Sequence, residues 1–178
     1  MAIKVKYSMA SLQMGPVGAD GGMGTDLVDV DDPVRDTAVI TQADGTKTPF
    51  PQEIADDPYF AVTIPGDKEL DIDFYAKNAA QMKKICGGTV TPGASGAPDS
   101  WSPGPDEPTE QSVAITMKDG SKIELARVNV NFTFEWKFQR SGLPLIHVKG
   151  DILNPVDPTT GLPHATAKWI KVTDAPTA

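Results

Sequence analysis

A single cysteine, Cys86, is all the thiol that the 178-residue chain possesses. No disulfide can form within it, which excludes a small scaffold held together by several bridges. Histidine is almost as scarce. His147 and His164 stand without a nucleophile elbow, a paired Cys/His spacing or an H-E-x-x-H motif, so the usual hydrolase and zinc-site patterns fail. Long apolar runs are missing too, and none reaches the length that spans a bilayer as a helix. The opening M-A-I-K-V-K-Y-S-M-A has lysines but no continuous apolar segment. It reads as lacking a secretory signal, and synthesis in the cytoplasm is expected. Basic clusters are lacking as well: 16 Lys and Arg face 24 Asp and Glu, for a net charge of −8. Proteins that grip nucleic acid draw most of their affinity from basic patches on phosphate. Tight DNA binding is therefore excluded, whereas a surface past which DNA slides without sticking is not.

What is abundant points to sheet. Glycine and proline contribute 16 residues each and the hydrophobic fraction is 39%, a balance that favours many turns and a β-rich class. The length suits one domain, 1–178, with a substantial core. The longest regular pattern is R-V-N-V-N-F-T-F-E-W-K-F at 127–138. Val128, Val130, Phe132, Phe134, Trp136 and Phe138 share one parity; Arg127, Asn129, Asn131, Thr133, Glu135 and Lys137 share the other. Strict alternation of this kind predicts a strand with a dry face and a wet one. At about 3.3 Å per residue it spans roughly 40 Å, twice the usual strand. Such a strand belongs to a large antiparallel sheet that faces water on one side.

The remaining segments follow the same logic. Residues 3–12 start as an alternating strand and run into the glycine-rich turn segment M-G-P-V-G-A-D-G-G-M-G-T. Strands are predicted over 37–42, 59–64, 68–75, 112–117, 121–125, 145–153 and 167–172, with tight turns at Asp44-Gly45, at 65–68 and at Lys118-Asp119-Gly120. In 68–75, Leu70, Ile72 and Phe74 point inward and Glu69, Asp71 and Asp73 outward. The proline-bearing stretch 43–58 reads as an extended loop, and 89–108 as a long Pro/Gly-rich excursion. One helix is predicted, in A-K-N-A-A-Q-M-K-K-I-C-G-G, where Ala79, Met82, Ile85 and Cys86 recur at helical spacing. Lys83 and Lys84 complement its C-terminal dipole and Gly87-Gly88 end it. The parity of Ile123 and Leu125 conflicts with that of Val128 and Val130, which requires a bulge near Ala126 and Arg127.

No motif survives as a reaction centre. The glycine segment lacks both G-x-G-x-x-G and G-K-[ST], so it is no phosphate loop. Asp29, Asp31, Asp32 and Asp36 break the calcium-loop spacing at Pro33. Glu69, Asp71 and Asp73 lie about 7 Å apart along one face, too far to share a metal unaided, and read as a solvated acidic stripe. Both histidines read as surface residues and Cys86 as a small buried apolar side chain. The sequon Asn131-Phe132-Thr133 falls in mid-strand. No catalytic residue, cofactor site or metal site is assigned, and the chain is not read as an enzyme.

A sheet with strands this long has long edges that must be covered, charged or paired. Pairing them with copies of the same chain closes a ring, and the wet parity then lines a water-filled lumen. The layout G-P-V-G-A-D-G-G-M-G-T, the loop before Pro58, P-G-D-K-E-L-D-I-D-F-Y-A running into a helix that ends I-C-G-G, and the late hairpins resembles the tail tube (major tail) proteins of long-tailed bacteriophages. The resemblance implies a β-sandwich or barrel-type fold with one flanking helix, assembled as hexameric rings stacked into a tube in the virion tail. That tube conducts double-stranded DNA without holding it, contacts other tail proteins and inserts into no membrane. Glu69, Asp71, Asp73, Arg127, Asn129, Asn131, Thr133, Glu135 and Lys137 would then face the lumen. Asp44, Lys47, Phe50, Glu53, Ile54 and Asp57 would reach a neighbouring subunit. Two other readings compete: a tube of a contractile injection apparatus, and a surface-exposed carbohydrate-binding or adhesion module that uses Trp101, Trp136 or Trp169 as stacking platforms.

Overall fold

The structure is a computed structural model that describes residues 8–31, 33–51, 58–104, 109–136 and 143–175. In chain order the elements are β1 (Met9–Pro16), β2 (Val28–Asp29), β3 (Val39–Gln42), β4 (Thr46–Pro51), β5 (Pro58–Ile64), β6 (Lys68–Tyr75), α1 (Ala79–Cys86), β7 (Thr89–Thr91), β8 (Ser100–Ser102), β9 (Thr109–Met117), β10 (Lys122–Glu135), β11 (Leu145–Ile152) and β12 (Lys171–Thr173). The fold is mainly β, with antiparallel pairing and one helix among the described residues.

Eight strands form the principal sheet, in the order β2-β1-β9-β10-β11-β6-β3, with β12 pairing the first residues of β10. The outermost members, β2 and β3, are neighbours in sequence. Residues 30–38 carry the chain from one sheet border to the other, bonded to β1 through Val30 N–H on Leu12 O (2.9 Å) and to β6 through Val34 N–H on Asp73 O (2.7 Å). Thr37 pins the crossing, its hydroxyl donating to Val34 O and accepting from Asp73 N–H. The sheet therefore folds over on itself, as a sandwich-like roll with one interior. Leu12 and Met14 (β1), Leu70, Ile72 and Phe74 (β6), Val113 (β9), Leu125, Val128 and Val130 (β10) and Ile146 and Val148 (β11) are all buried there.

The helix plugs the roll with Met82 and Ile85. Its start is specified locally: Asn78 accepts from Gln81 N–H while Gln81 accepts from Lys77 N–H, a reciprocal cap that satisfies donors the first turn leaves open. Gln81 also donates to Asp31 O across the fold, which explains a buried amide at a position that periodicity does not mark as apolar. Gly87, at φ 68°, ends the helix with its N–H on Lys83 O.

The anticipated bulge is present. Register between β9 and β10 slips between Leu125 and Val128, so that Ile123 and Leu125 point into the same interior as Val128 and Val130. The slip frees the Ala126 carbonyl from the ladder. The fully buried Ser112 hydroxyl donates to it (2.6 Å) and accepts from Gly24 N–H (2.9 Å). Gly24 packs so tightly on the Pro16 carbonyl that a Cβ would overlap it. The glycine-rich segment is thus a loop folded close against β1, and β1 itself extends to Pro16 rather than stopping at Leu12.

Other expectations are corrected. Asp44-Gly45 and the turn at 65–68 do not reverse the chain; β3 runs on into β4 and β5 into β6 with one register kept from Val39 to Phe50, Gln42 opposite Lys68 and Thr46 opposite Ile64, and a shift between Phe50 and Pro51. Gly45 and Gly66 sit where the two backbones nearly touch, Gly45 against the Ile64 carbonyl and Gly66 against the Ala43 carbonyl. Glycine there serves close approach rather than reversal. The predicted extended loop is consequently a two-stranded arm in its described parts, while 52–57, including Glu53, Ile54 and Asp57, lies outside the described residues. The excursion 89–108 holds a hairpin, β7–β8, packed on α1, with 105–108 outside the described residues.

Candidate functional site

Cross-strand register assembles the wet parities into one polar face. Glu69, Asp71 and Asp73 on β6 stand opposite Asp151, Lys149 and His147 on β11. Those in turn stand opposite Asn129, Asn131 and Thr133 on β10, and Glu110 on β9 is opposite Asn129. Arg127, beside the bulge, forks both nitrogens onto Glu110 (2.9 and 2.7 Å), a bidentate pair that fixes its direction. Lys149 lies 3.8 Å from Asp71. The named side chains comprise five carboxylates against one lysine, one arginine and one histidine. Asn131 and Thr133 are exposed, whereas Asn129 is half-buried and its side-chain carbonyl has no hydrogen-bond partner in the structure. Lys137 lies outside the described residues.

At one end of this face His147 sits between two acids. Its Nδ1 is 2.7 Å from Asp73 Oδ1 and its Nε2 3.3 Å from Glu135 Oε2. The bond to Asp73, aided by both carboxylate charges, raises the imidazole pKa above its ordinary value against the opposing pull of partial burial. The sequence reading of two plain surface histidines is therefore corrected. His147 links β6, β11 and β10, and His164 bonds Asp20 at 3.2 Å and accepts from Ala167 N–H, tying the glycine loop to the C-terminal loop. The carboxylates occupy opposite ring nitrogens of His147, so no single point is ligated by all three groups. Among the described residues no set of three His, Cys, Asp or Glu side chains is placed to hold a metal ion.

Two clefts flank the roll. One of about 710 Å³ opens where the borders fail to meet, between Met9, Val34, Ile40, Ile115 and Ile123. Another of about 490 Å³ lies between Asp20, Glu124, His164 and Lys171. Burial pushes the Glu124 carboxyl up, but Lys171 and Lys122, bonded at 3.0 and 3.1 Å, hold it below its usual range. Burial pushes the Cys86 thiol up to about 12, which removes it as a nucleophile near neutral pH.

Comparison with protein-family models and with curated proteins returns no match. The chemistry must be read from the surface itself.

Two apolar surfaces stand out on it. The arm β4–β5 presents Phe50 stacked on Phe60 (4.6 Å between centroids), with Val62 and Ile64 on the same parity, all exposed. The far end of β10 presents the second. Its apolar parity was expected to be dry throughout, yet Phe134 and Trp136 are 37% and 52% exposed. The reason is length: β10 outruns the core, and beside its β11 neighbour the β7–β8 hairpin reaches this end through Trp101 at 5.7 Å from Phe134. Trp136 stacks on Phe134 at 6.3 Å, and the Trp101 indole N–H is already committed to Gly87 O. Trp169 lies apart, under Lys68. No helix among the described residues is long and apolar enough to cross a membrane.

Proposed function

We propose that this chain is a self-assembling structural subunit, a tail tube protein of the long-tailed-phage type, whose polar face lines a channel for DNA in the virion tail. One observation carries the reading: an apolar-faced hairpin arm leaves the end of a sheet whose opposite face is dominated by charged and amide side chains. A face like that of the arm is stable in water only when something covers it, and copies of the same chain supply the cover in a closed symmetric ring. The arm holds the described members of the inter-subunit set, Asp44, Lys47 and Phe50.

The polar face suits passage rather than retention. Its carboxylates outnumber its cations, and its cations are held by carboxylates on the same face. A phosphate backbone would meet repulsion and hydration with no free basic cluster to release counterions. The hexameric ring and the neighbouring tail proteins come from the family resemblance. A tube of a contractile injection apparatus would use the same surfaces.

Electron microscopy of the purified protein at high concentration tests the reading. Rings or tubes with a central channel are expected, and a strict monomer at millimolar concentration would sink it. Within assembled tubes, Asn131→Lys with Thr133→Lys should leave the subunit folded, since both are exposed, and should slow DNA passage in an infectivity assay. The carbohydrate-binding alternative gains one specific observation, the half-exposed Trp136 beside Phe134. Glycan binding with a monomeric parent would favour it.

A further inference from the structure

The two exposed apolar surfaces lie at opposite ends of the same strands. The arm leaves the sheet beyond Lys68, the first residue of β6. The aromatic platform lies at the other end, where Tyr75 of β6 stands opposite Leu145 of β11 and Leu145 opposite Glu135 of β10, flanked by Phe134 and Trp136. Eight residues of strand separate them, about 25 Å. Two different apolar surfaces, far apart on one molecule, cannot satisfy each other within it. Between copies they make a heterologous contact, which repeats rather than closing on a two-fold.

Charge agrees. In a chain of net charge −8, the strands 46–51 and 58–64 carry Lys47 as their one charged residue. At the platform, the one charge between Phe134 and Trp136 is Glu135, which is engaged by His147. The two apolar faces themselves therefore add little like-charge repulsion between acidic copies. Large side chains about half exposed bring on the order of 100 Å² each. Phe50, Phe60, Val62 and Ile64 on one side and Phe134 and Trp136 on the other bring about 600 Å² together, the scale of a weak contact that becomes firm through repetition.

We infer that the β4–β5 arm of one copy packs its Phe50–Phe60 face on the Trp101–Phe134–Trp136 platform of the next, head to tail along the strand direction. This rests on the self-assembly reading above and names the surface that receives the arm.

Complementation of two variants tests it. Phe60→Ser with Ile64→Ser disables the arm; Trp136→Ala, or Trp136→Gln as a second choice, disables the platform. All three positions are exposed, so circular dichroism should match the parent. The parent is expected to elongate by light scattering, and each variant alone to stop short. An equimolar mixture should give a species containing both variants in equal amounts that does not grow, because one usable arm meets one usable platform. Elongation of the platform variants at the parental rate overturns the inference while leaving self-assembly standing, and so does an arm variant that elongates normally. A parent that never associates overturns both. Monomers whose Trp136 fluorescence responds to glycans give the platform to carbohydrate instead and likewise overturn it.

Discussion

Two cross-strand pairs in one shared register meet opposite fates. Ile40 faces Leu70 and Phe50 faces Phe60, on the same parity of the same long hairpin and in the same register. Leu70 is 1% exposed and Ile40 packs against the core, whereas Phe50 and Phe60 stand in solvent. The alternation is the same for both pairs, and the prolines that flank Phe50, Pro49 and Pro51, are the one local difference. The base is covered by the rest of the roll and the arm has outrun it, as β10 does at Phe134 and Trp136. Alternation states which side of a strand is apolar; only the extent of the neighbouring elements states whether that side is buried.

The base of the comparison should fail first when attacked. Leu70→Ala removes a fully buried side chain amid Ile72, Val148 and Val128 and is expected to cost about 2–5 kcal/mol by chemical denaturation. A loss below ~1 kcal/mol would mean that the roll is not closed over β6. Ser112→Ala comes next. Its hydroxyl serves Ala126 O and Gly24 N–H in a site without solvent. Leaving both unsatisfied should cost about 2–3 kcal/mol. Hydrogen exchange at Gly24 should rise in parallel, a change that a mere loss of side-chain volume would not produce.

Much of the sheet was legible because its signals are local. The inward set Leu70, Ile72 and Phe74, the hairpin at Lys118-Asp119-Gly120 and the bulge demanded by the clash between Leu125 and Val128 all follow from parity. So does the helix end at Gly87. What escaped depends on contacts distant in sequence. Asp44-Gly45 carries the residues of a turn, yet serves close backbone approach because Gly66 faces it from another segment. Ser112 gives no sign of its bond to Gly24, nor Trp101 of its reach to Phe134. The polar face was legible strand by strand, but its pairing was not: that His147 lies between Asp73 and Glu135 depends on the order of β6, β11 and β10, which no single-strand pattern encodes.

A smaller effect separates the polar face from the apolar surfaces by its pH dependence. His147 gains its partners on folding and its pKa is raised. Its contribution is therefore complete below the unfolded value of about 6.5, provided that the carboxylates stay ionised, and is lost as pH rises through the higher folded value. His147→Gln should accordingly be less stable than the parent near pH 6 by about 1 kcal/mol, the scale of a half-exposed ion pair. The gap should shrink as pH rises past the folded pKa. A gap that is constant with pH would show that the imidazole acts by packing alone. Salt should reduce the acid-side gap as well, since both carboxylates remain partly open to solvent.

The arm should give the smallest effect on the isolated subunit, and that smallness is informative. Phe60→Ser changes an aromatic ring as large as any in the core, yet about half of it already contacts water and its stacking partner Phe50 is itself exposed. Stability of the dilute, unassembled chain should change by no more than about 0.5 kcal/mol, as at other surface sites. Association should weaken by far more, because on the assembly reading another copy covers the exposed half of the ring. A loss of several kcal/mol in the dilute chain would place Phe60 in an intramolecular core after all. It would also remove the distinction between base and arm from which the assembly reading starts.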